Sequence, residues 1–325
     1  MLMCNLIGVF CMKKISIVVS VYNEEEVLPK FYNAFEEFKK NISWDYELVF
    51  VNDGSVDNSI NLLRGFAKKD DKVKVIDFSR NFGHEAAMIA GIDNASGDGI
   101  VCMDADLQHP LESVVDIINK FEEGYEVISM VRVSNESAGL IKNITSKAFY
   151  KIVNLLSDQA AFEENASDFF AINNKVADVL RNNYREKIRF LRGYVQSVGY
   201  NKTTLSYVAA KRAGGKSHYS IKKLFKFSVS TIVSFSDFPL KLGIYAGLLS
   251  ALAGLAVLVY TLFTYHDAPS GYATIVILIC FLFSVMFVII GIIGEYIAVL
   301  FAELKDRPIY IVSKKINFDN ENIEK

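Results

Sequence analysis

Apolar and polar positions divide this chain into two halves of different period. In the first half, short β-branched runs alternate with longer stretches of helical spacing. Ile15 to Ser20 reads as a buried strand, and so do Glu47 to Asn52, Val73 to Phe78, Gly99 to Met103 and Glu126 to Val131. Between them, Glu24 to Lys40 sets Val27, Leu28, Phe31, Phe35 and Phe38 at helical intervals. Asp57 to Lys69 predicts a second helix with Asp57 as its cap, Glu85 to Asn94 a third, and Leu111 to Glu122 a fourth that opens after Pro110. Strands and helices alternating in this way predict βαβ units, and so an α/β domain with a mostly parallel sheet.

The second half is more apolar. Leu140 to Leu156 and Tyr219 to Phe235 each set an apolar stripe beside lysines, the pattern of a helix lying in a membrane interface or of a core-facing helix with a solvated lysine face. Leu240 to Phe263 carries one charge, Lys241, and Ala273 to Leu300 carries one, Glu295. Each run exceeds the roughly 20 residues needed to cross a hydrocarbon core. The link from Thr264 to Tyr272 has no Lys or Arg, whereas the outer flanks are basic, from Lys211 to Lys241 and from Lys305 to Lys315. The positive-inside rule then puts both termini in the cytoplasm. The division this predicts is an apolar extension over 1–12, a globular domain over 13–218, an interfacial helix over 219–238, a two-helix membrane hairpin over 239–302 and a tail over 303–325.

Composition agrees with a membrane-associated chain: of 325 residues, 51 % are hydrophobic and 22 % charged. A net charge of −2 makes no case for nucleic-acid binding. Cys4, Cys11, Cys102 and Cys280 form no framework, so reduced thiols are expected. Met1 to Cys11 lacks a basic start and a small-residue cleavage site, so no signal peptide is predicted and Met12 is where the fold is expected to begin.

The chemistry concentrates where predicted strands end. Met103-Asp104-Ala105-Asp106-Leu107-Gln108-His109-Pro110 follows a strand, and carboxylates at i and i+2 of an extended segment share a side. Such a pair suits Mg²⁺ or Mn²⁺, which takes its remaining ligands from water and phosphates. The first strand ends in Val21-Tyr22-Asn23-Glu24-Glu25 and the second in Asn52-Asp53-Gly54-Ser55-Val56-Asp57, and ligands bind at such carboxyl ends. There Asp53 has the chemistry to accept the N–H of a uracil-like base. His84 and His109 lack a second histidine at ligand spacing and read as loop residues.

These motifs, with Ser79-Arg80-Asn81-Phe82-Gly83-His84-Glu85-Ala86-Ala87, resemble the family 2 glycosyltransferases of GT-A fold. More narrowly, the chain resembles the polyprenyl-phosphate glycosyltransferases, the group of dolichol-phosphate mannose synthase and bactoprenol glucosyltransferase GtrB. Ser167-Asp168-Phe169-Phe170, Arg212-Ala213-Gly214-Gly215-Lys216-Ser217-His218-Tyr219, Ser234-Phe235-Ser236-Asp237-Phe238-Pro239 and Gly291-Ile292-Ile293-Gly294-Glu295-Tyr296 carry that narrower likeness. It runs from about Met12 to Val312.

The resemblance implies roles. Val21, Asn23, Glu24, Asp53, Asp104 and Gln108 would meet the nucleotide sugar, with Asp53 on the uracil and Gln108 near the sugar. Asp104 and Asp106 would hold the metal, and Asp168 would stand by the attacking phosphate with Asp106 as its catalytic partner. Arg132, Lys142, Arg212 and Lys216 would grip acceptor and donor phosphates. Ser134 and Asn135 stand where the family often has a second arginine, and Phe170 where an arginine often follows Asp-Phe. In that resemblance Lys142 would supply the replacement charge.

The implied reaction is inverting transfer of one sugar from a UDP-sugar to undecaprenyl phosphate at the cytoplasmic face of a bacterial inner membrane. A phosphate monoester is mostly anionic near pH 7, so a general base is less needed than for a sugar hydroxyl. Glucose is the expected sugar; GlcNAc, mannose from GDP and a modified aminoarabinose are the alternatives. The implied partners are the bilayer, a homotetramer of the chain, a flippase and a downstream glycosyltransferase. A processive synthase would carry Gln-x-x-Arg-Trp and more spans, whereas the one tryptophan, Trp44, lies elsewhere. A non-enzymatic anchor or flippase subunit would need none of the acidic motifs.

Overall fold

The computed structural model describes residues 13–133, 166–187, 190–210, 238–263 and 271–318. The two amphipathic stretches, Lys142, Arg212 and Lys216 lie outside them. The chain forms two compact units, one holding the sheet and the other the two long apolar helices.

In the first unit the elements run β1 (Lys14–Val21), α1 (Leu28–Phe38), β2 (Asp45–Asn52), α2 (Ser59–Ala67), β3 (Val73–Phe78), α3 (His84–Asn94), β4 (Gly99–Asp104), α4 (Ser113–Glu122) and β5 (Val127–Arg132). There follow β6 (Ala166–Asn173), α5 (Asn174–Asn183), α6 (Leu191–Ser197) and β7 (Lys202–Tyr207). Strand β8 (Val312–Ile316) returns from the far end of the sequence. The eight strands lie in the order β7-β5-β6-β4-β1-β2-β3-β8. β1 pairs in parallel with both β2 and β4, and β2 with β3. This is the mostly parallel α/β sheet that the alternation predicts.

The core explains why. Ile15, Ile17, Val19 and Val21 point to one face of β1 and pack with Phe31 and Phe35 of α1, Leu63 of α2 and Val114 and Ile117 of α4. The stripe on α1 is the 3.6-residue pattern, with Pro29 in its first turn, where a missing N–H costs nothing. α3 covers the other face of β1 and β2. Its residues from Ala86 to Ile92 are buried without a break, so it presents no polar face. Gly91 permits this approach: a Cβ there would lie 2.0 Å from Cγ1 of Val18.

Three features depart from the expected layout. The first helix starts at Leu28 rather than Glu24, because Glu24 and its neighbours are held by the β2 loop. β6 runs antiparallel between β4 and β5, an insertion the alternation did not contain. The stretch expected as a tail supplies β8, antiparallel to β3. There it covers an edge that would otherwise offer unpaired backbone groups.

In the second unit, α7 (Phe238–Phe263) and α8 (Tyr272–Leu304) are helical, and Gly243 of α7 sits against Ile289 of α8. Among the described residues, one stretch of 24 residues, Phe281–Leu304, is long and apolar enough to cross a membrane, with a mean hydropathy of 2.5 over an 18-residue window.

Candidate active site at the carboxyl ends of the strands

Parallel pairing sets Ser20 level with Asp104 and Val21 level with Asn52, so the loops after β1, β2 and β4 emerge side by side. The first two loops interlock. Asn23 takes a left-handed conformation (φ 55°), and its Oδ1 accepts the Val56 N–H at 2.9 Å. The Asn23 N–H donates to Ser55 Oγ, and the Glu24 N–H to Ser59 Oγ, both at 3.0 Å. Asp57, expected as a helix cap, accepts the N–H of Ser59, the first residue of α2, and also that of Glu25. The side chain of Val21 belongs to the core, and its carbonyl accepts the Asp53 N–H.

Asp53 is buried. Its Oδ1 accepts the Phe82 N–H at 2.6 Å and its Oδ2 the Gly83 N–H at 2.9 Å. Gly54 next to it has φ +64°, and a Cβ there would lie 2.3 Å from the Arg80 carbonyl carbon. The loop from Ser79 to Gly83 therefore lies directly on the Asp53–Gly54 turn and is pinned by a carboxylate. The Arg80 guanidinium stacks on Phe82, 3.9 Å from the ring centre.

Asp104 ends β4 about one-third exposed, whereas Asp106 is 4 % exposed and accepts the Gln108 N–H through Oδ1 at 3.0 Å. The backbone turns at Leu107, which has φ 59°. Both histidines read as loop residues come to Asp104. His109 Nδ1 accepts the Asp104 N–H at 3.0 Å, and its ring stacks on Phe169 with centroids 4.8 Å apart. Burial pulls His109 below its ordinary pKa, against the pull of Asp104, Asp106 and Asp168. His84 Nδ1 lies 2.9 Å from Ser20 Oγ and 3.7 Å from Asp104 Oδ1. Burial works against its protonation, but Asp104, Asp168 and Glu85 outweigh it and raise the pKa.

Because β6 is antiparallel to β4, its beginning lies beside the end of β4, and Asp168 Oδ2 stands 4.0 Å from His84 Nε2. Arg192, from α6, reaches Asp168 Oδ1 at 2.9 Å and Oδ2 at 3.1 Å. Burial alone would raise the Asp168 pKa; Arg192, with His84 and His109, holds it below the usual carboxylate range. Glu85 differs: burial first, then the Asp168 charge, push it up to about 6. Arg132 ends β5 with its side chain exposed.

Asp104, Asp106 and Asp168, legible as motif residues, lie at or just beyond the neighbouring ends of β4 and β6. His84, Glu85 and Arg192 join them there without a role assigned from the sequence. His84 and Glu85 stood inside a quoted motif without a role. Arg192 carried no linear signal, since only the packing of α6 brings it to β6.

Among the described residues, no group of three or more His, Cys, Asp or Glu side chains could hold a metal ion by itself. Asp104 and Asp106 fit a hard divalent ion of the kind that binds one or two carboxylates and completes its shell with water and substrate phosphates.

The chain matches the model of glycosyl transferase family 2 over residues 16–184 and that of the GtrB C-terminal hairpin over residues 238–300. It belongs to the family 2 glycosyltransferases, and its sheet is the GT-A-like α/β arrangement. It is 40 % identical to the uncharacterized glycosyltransferase YkcC of Bacillus subtilis, over 95 % of this chain and 96 % of that protein. It is 36 % identical to the SfII prophage-derived bactoprenol glucosyl transferase of Shigella flexneri, over 93 % and 98 %. The prophage bactoprenol glucosyl transferase homolog of Escherichia coli K12 is 35 % identical, over 93 % and 99 %.

Proposed function

We propose that this glycosyltransferase moves a single glucose from UDP-glucose to a polyprenyl phosphate, with inversion, at the cytoplasmic face of the membrane. The observation that carries the reading is the convergence of Asp104 and the Asp168–Arg192 pair on His84 at adjacent strand ends. The names of the bactoprenol glucosyl transferase relatives supply the acceptor and the sugar.

An acceptor phosphate oxygen attacks the anomeric carbon as the bond from that carbon to UDP breaks on the opposite face. Asp104 and Asp106 would hold Mg²⁺ or Mn²⁺, which when bound offsets charge on the departing diphosphate. Asp168 orients the attack. Its low pKa makes it a weak base, and the anionic phosphate needs no deprotonation. Val21, Asn23, Glu24 and Asp53 form the uridine side, Asp53 through the loop it braces, and Gln108 faces the sugar. Arg132, Lys142, Arg212 and Lys216 serve the phosphates, a role suited to the guanidinium groups of the two arginines and the ammonium charges of the two lysines. In the same reading α7 and α8 cross the bilayer as a hairpin, the globular unit and both termini are cytoplasmic, and the chain works as a homotetramer beside a flippase and a downstream glycosyltransferase.

The test incubates purified protein with a panel of UDP-sugars and a short polyprenyl phosphate and reads product mass. Glucose addition is expected, lost on chelation and reduced by about 100- to 1,000-fold in Asp104→Asn or Asp106→Asn, on the scale of removing a principal source of charge stabilisation. Undiminished transfer by either variant would sink the mechanism, and transfer of another sugar alone would sink the donor assignment.

A further inference from the structure

The Glu85 side chain joins α3 to α6, and no step above uses it. Glu85, in the first turn of α3, accepts the Leu191 N–H through Oε2 at 2.9 Å. Leu191 opens α6, ahead of the Gly193 and Tyr194 N–H groups, which donate to the Phe190 carbonyl. The cap residue, Phe190, makes no side-chain hydrogen bond to the helix. The next residue, Arg192, is the one that grips Asp168.

α3 is buried from Ala86 to Ile92 and pressed on β1 at Gly91. α6 has 7 residues, too few for its own hydrogen bonds to fix it, and is buried at Leu191 and from Gly193 to Gln196. Its start is therefore placed by what it touches. Glu85 ties that start to α3, and His84, one residue earlier on α3, faces Ser20 and Asp104. Consecutive residues of α3 thus address the donor side and the acceptor side of the site.

We infer that Glu85 is a positioning residue for the acceptor's phosphate monoester: by holding Leu191 it sets Arg192 on Asp168 at the orientation in which that pair meets the phosphate. The inference rests on the polyprenyl-phosphate reading above and adds to it a residue that touches neither substrate.

Full-length Glu85→Ala and Glu85→Gln proteins are compared with wild type in steady-state transfer from UDP-glucose. In Glu85→Ala, kcat/KM for polyprenyl phosphate is expected to fall at least about 30-fold, with KM for UDP-glucose within about twofold of wild type. Glu85→Gln keeps an oxygen for Leu191 and is expected to recover to within about fivefold. If Glu85→Ala fails to bind UDP and so has not folded, Glu85→Asp, which withdraws the carboxylate from Leu191, carries the same expectation. Wild-type kinetics in the alanine protein, equal losses on the donor and acceptor sides, or a glutamine protein as poor as the alanine one each overturn the inference while leaving transfer itself intact. A wild-type protein that transfers no sugar to polyprenyl phosphate overturns this inference and the proposed function together.

Discussion

The Tyr310 hydroxyl donates to Asp93 Oδ2 at 2.7 Å, joining positions 217 residues apart. Arg185 holds the same carboxylate at 2.8 and 3.1 Å, and the Tyr310 ring stacks on Phe78 with centroids 5.2 Å apart. Burial, with Asp93 next, pushes the Tyr310 phenol well above its ordinary pKa, so it stays a donor across the working range. The end of the chain is in this way fastened to the last turn of α3, the helix whose first turn meets the site.

Tyr310→Phe keeps the stacking and removes one hydrogen bond to a carboxylate. A loss of about 1.5 to 3 kcal/mol is expected, read as a thermal midpoint several degrees lower. An unchanged midpoint would show that Arg185 alone holds Asp93.

Glu47 is 1 % exposed and is met by Ser16, Ser96, Lys14 and Lys74. Burial opposes its charge, but these partners outweigh burial and bring its pKa down to about 2. A carboxyl lowered on folding stabilises above its unfolded pKa, near 4.3, and that stability is lost as pH falls through the folded value. Glu47→Gln is therefore expected to cost about 3 kcal/mol at pH 7, with the gap to wild type reduced by about half near pH 3. Denaturant titrations across that range read it, and a gap that does not depend on pH would contradict the assignment.

Gly54→Ala puts a Cβ into the Arg80–Asn81 backbone at a positive φ. A loss of at least about 2 kcal/mol is expected, together with weaker UDP binding, because the Ser79–Gly83 loop must move. Gly65→Ala is the control: a Cβ there meets nothing within 4 Å, and in a helix alanine is expected to stabilise by up to about 1 kcal/mol. UDP affinity measured by calorimetry separates the two, and equal affinities would mean that the loop is not part of the donor site.

Much of the sheet could be read along the chain. β3 spans the predicted Val73 to Phe78, and β1, β2, β4 and β5 differ from expectation only at their ends. Buried parallel strands write themselves as β-branched runs because both faces are covered. β6 escaped because an antiparallel insertion leaves no break in the period. β8 escaped because Val-Ser-Lys-Lys-Ile on an edge exposes its lysines and looks like a polar tail. In the site, the acidic pair was legible because its function needs two carboxylates at fixed spacing. Asp53 was legible as a residue, but its engagement with Phe82 and Gly83 was not.

The sequence by itself determined the class of the fold, the polar turns at its strand ends, the acidic pair after β4 and the apolar character of α8. Each of these depends on neighbours a few residues away, so spacing alone records it. The tertiary structure decided which side chains touch. Arg192 on Asp168, Glu85 on Leu191 and Tyr310 on Asp93 join residues 24, 106 and 217 positions apart. Such contacts exist only because helices of fixed length and strands of fixed register return distant parts of the chain to one another, and no local period carries that information.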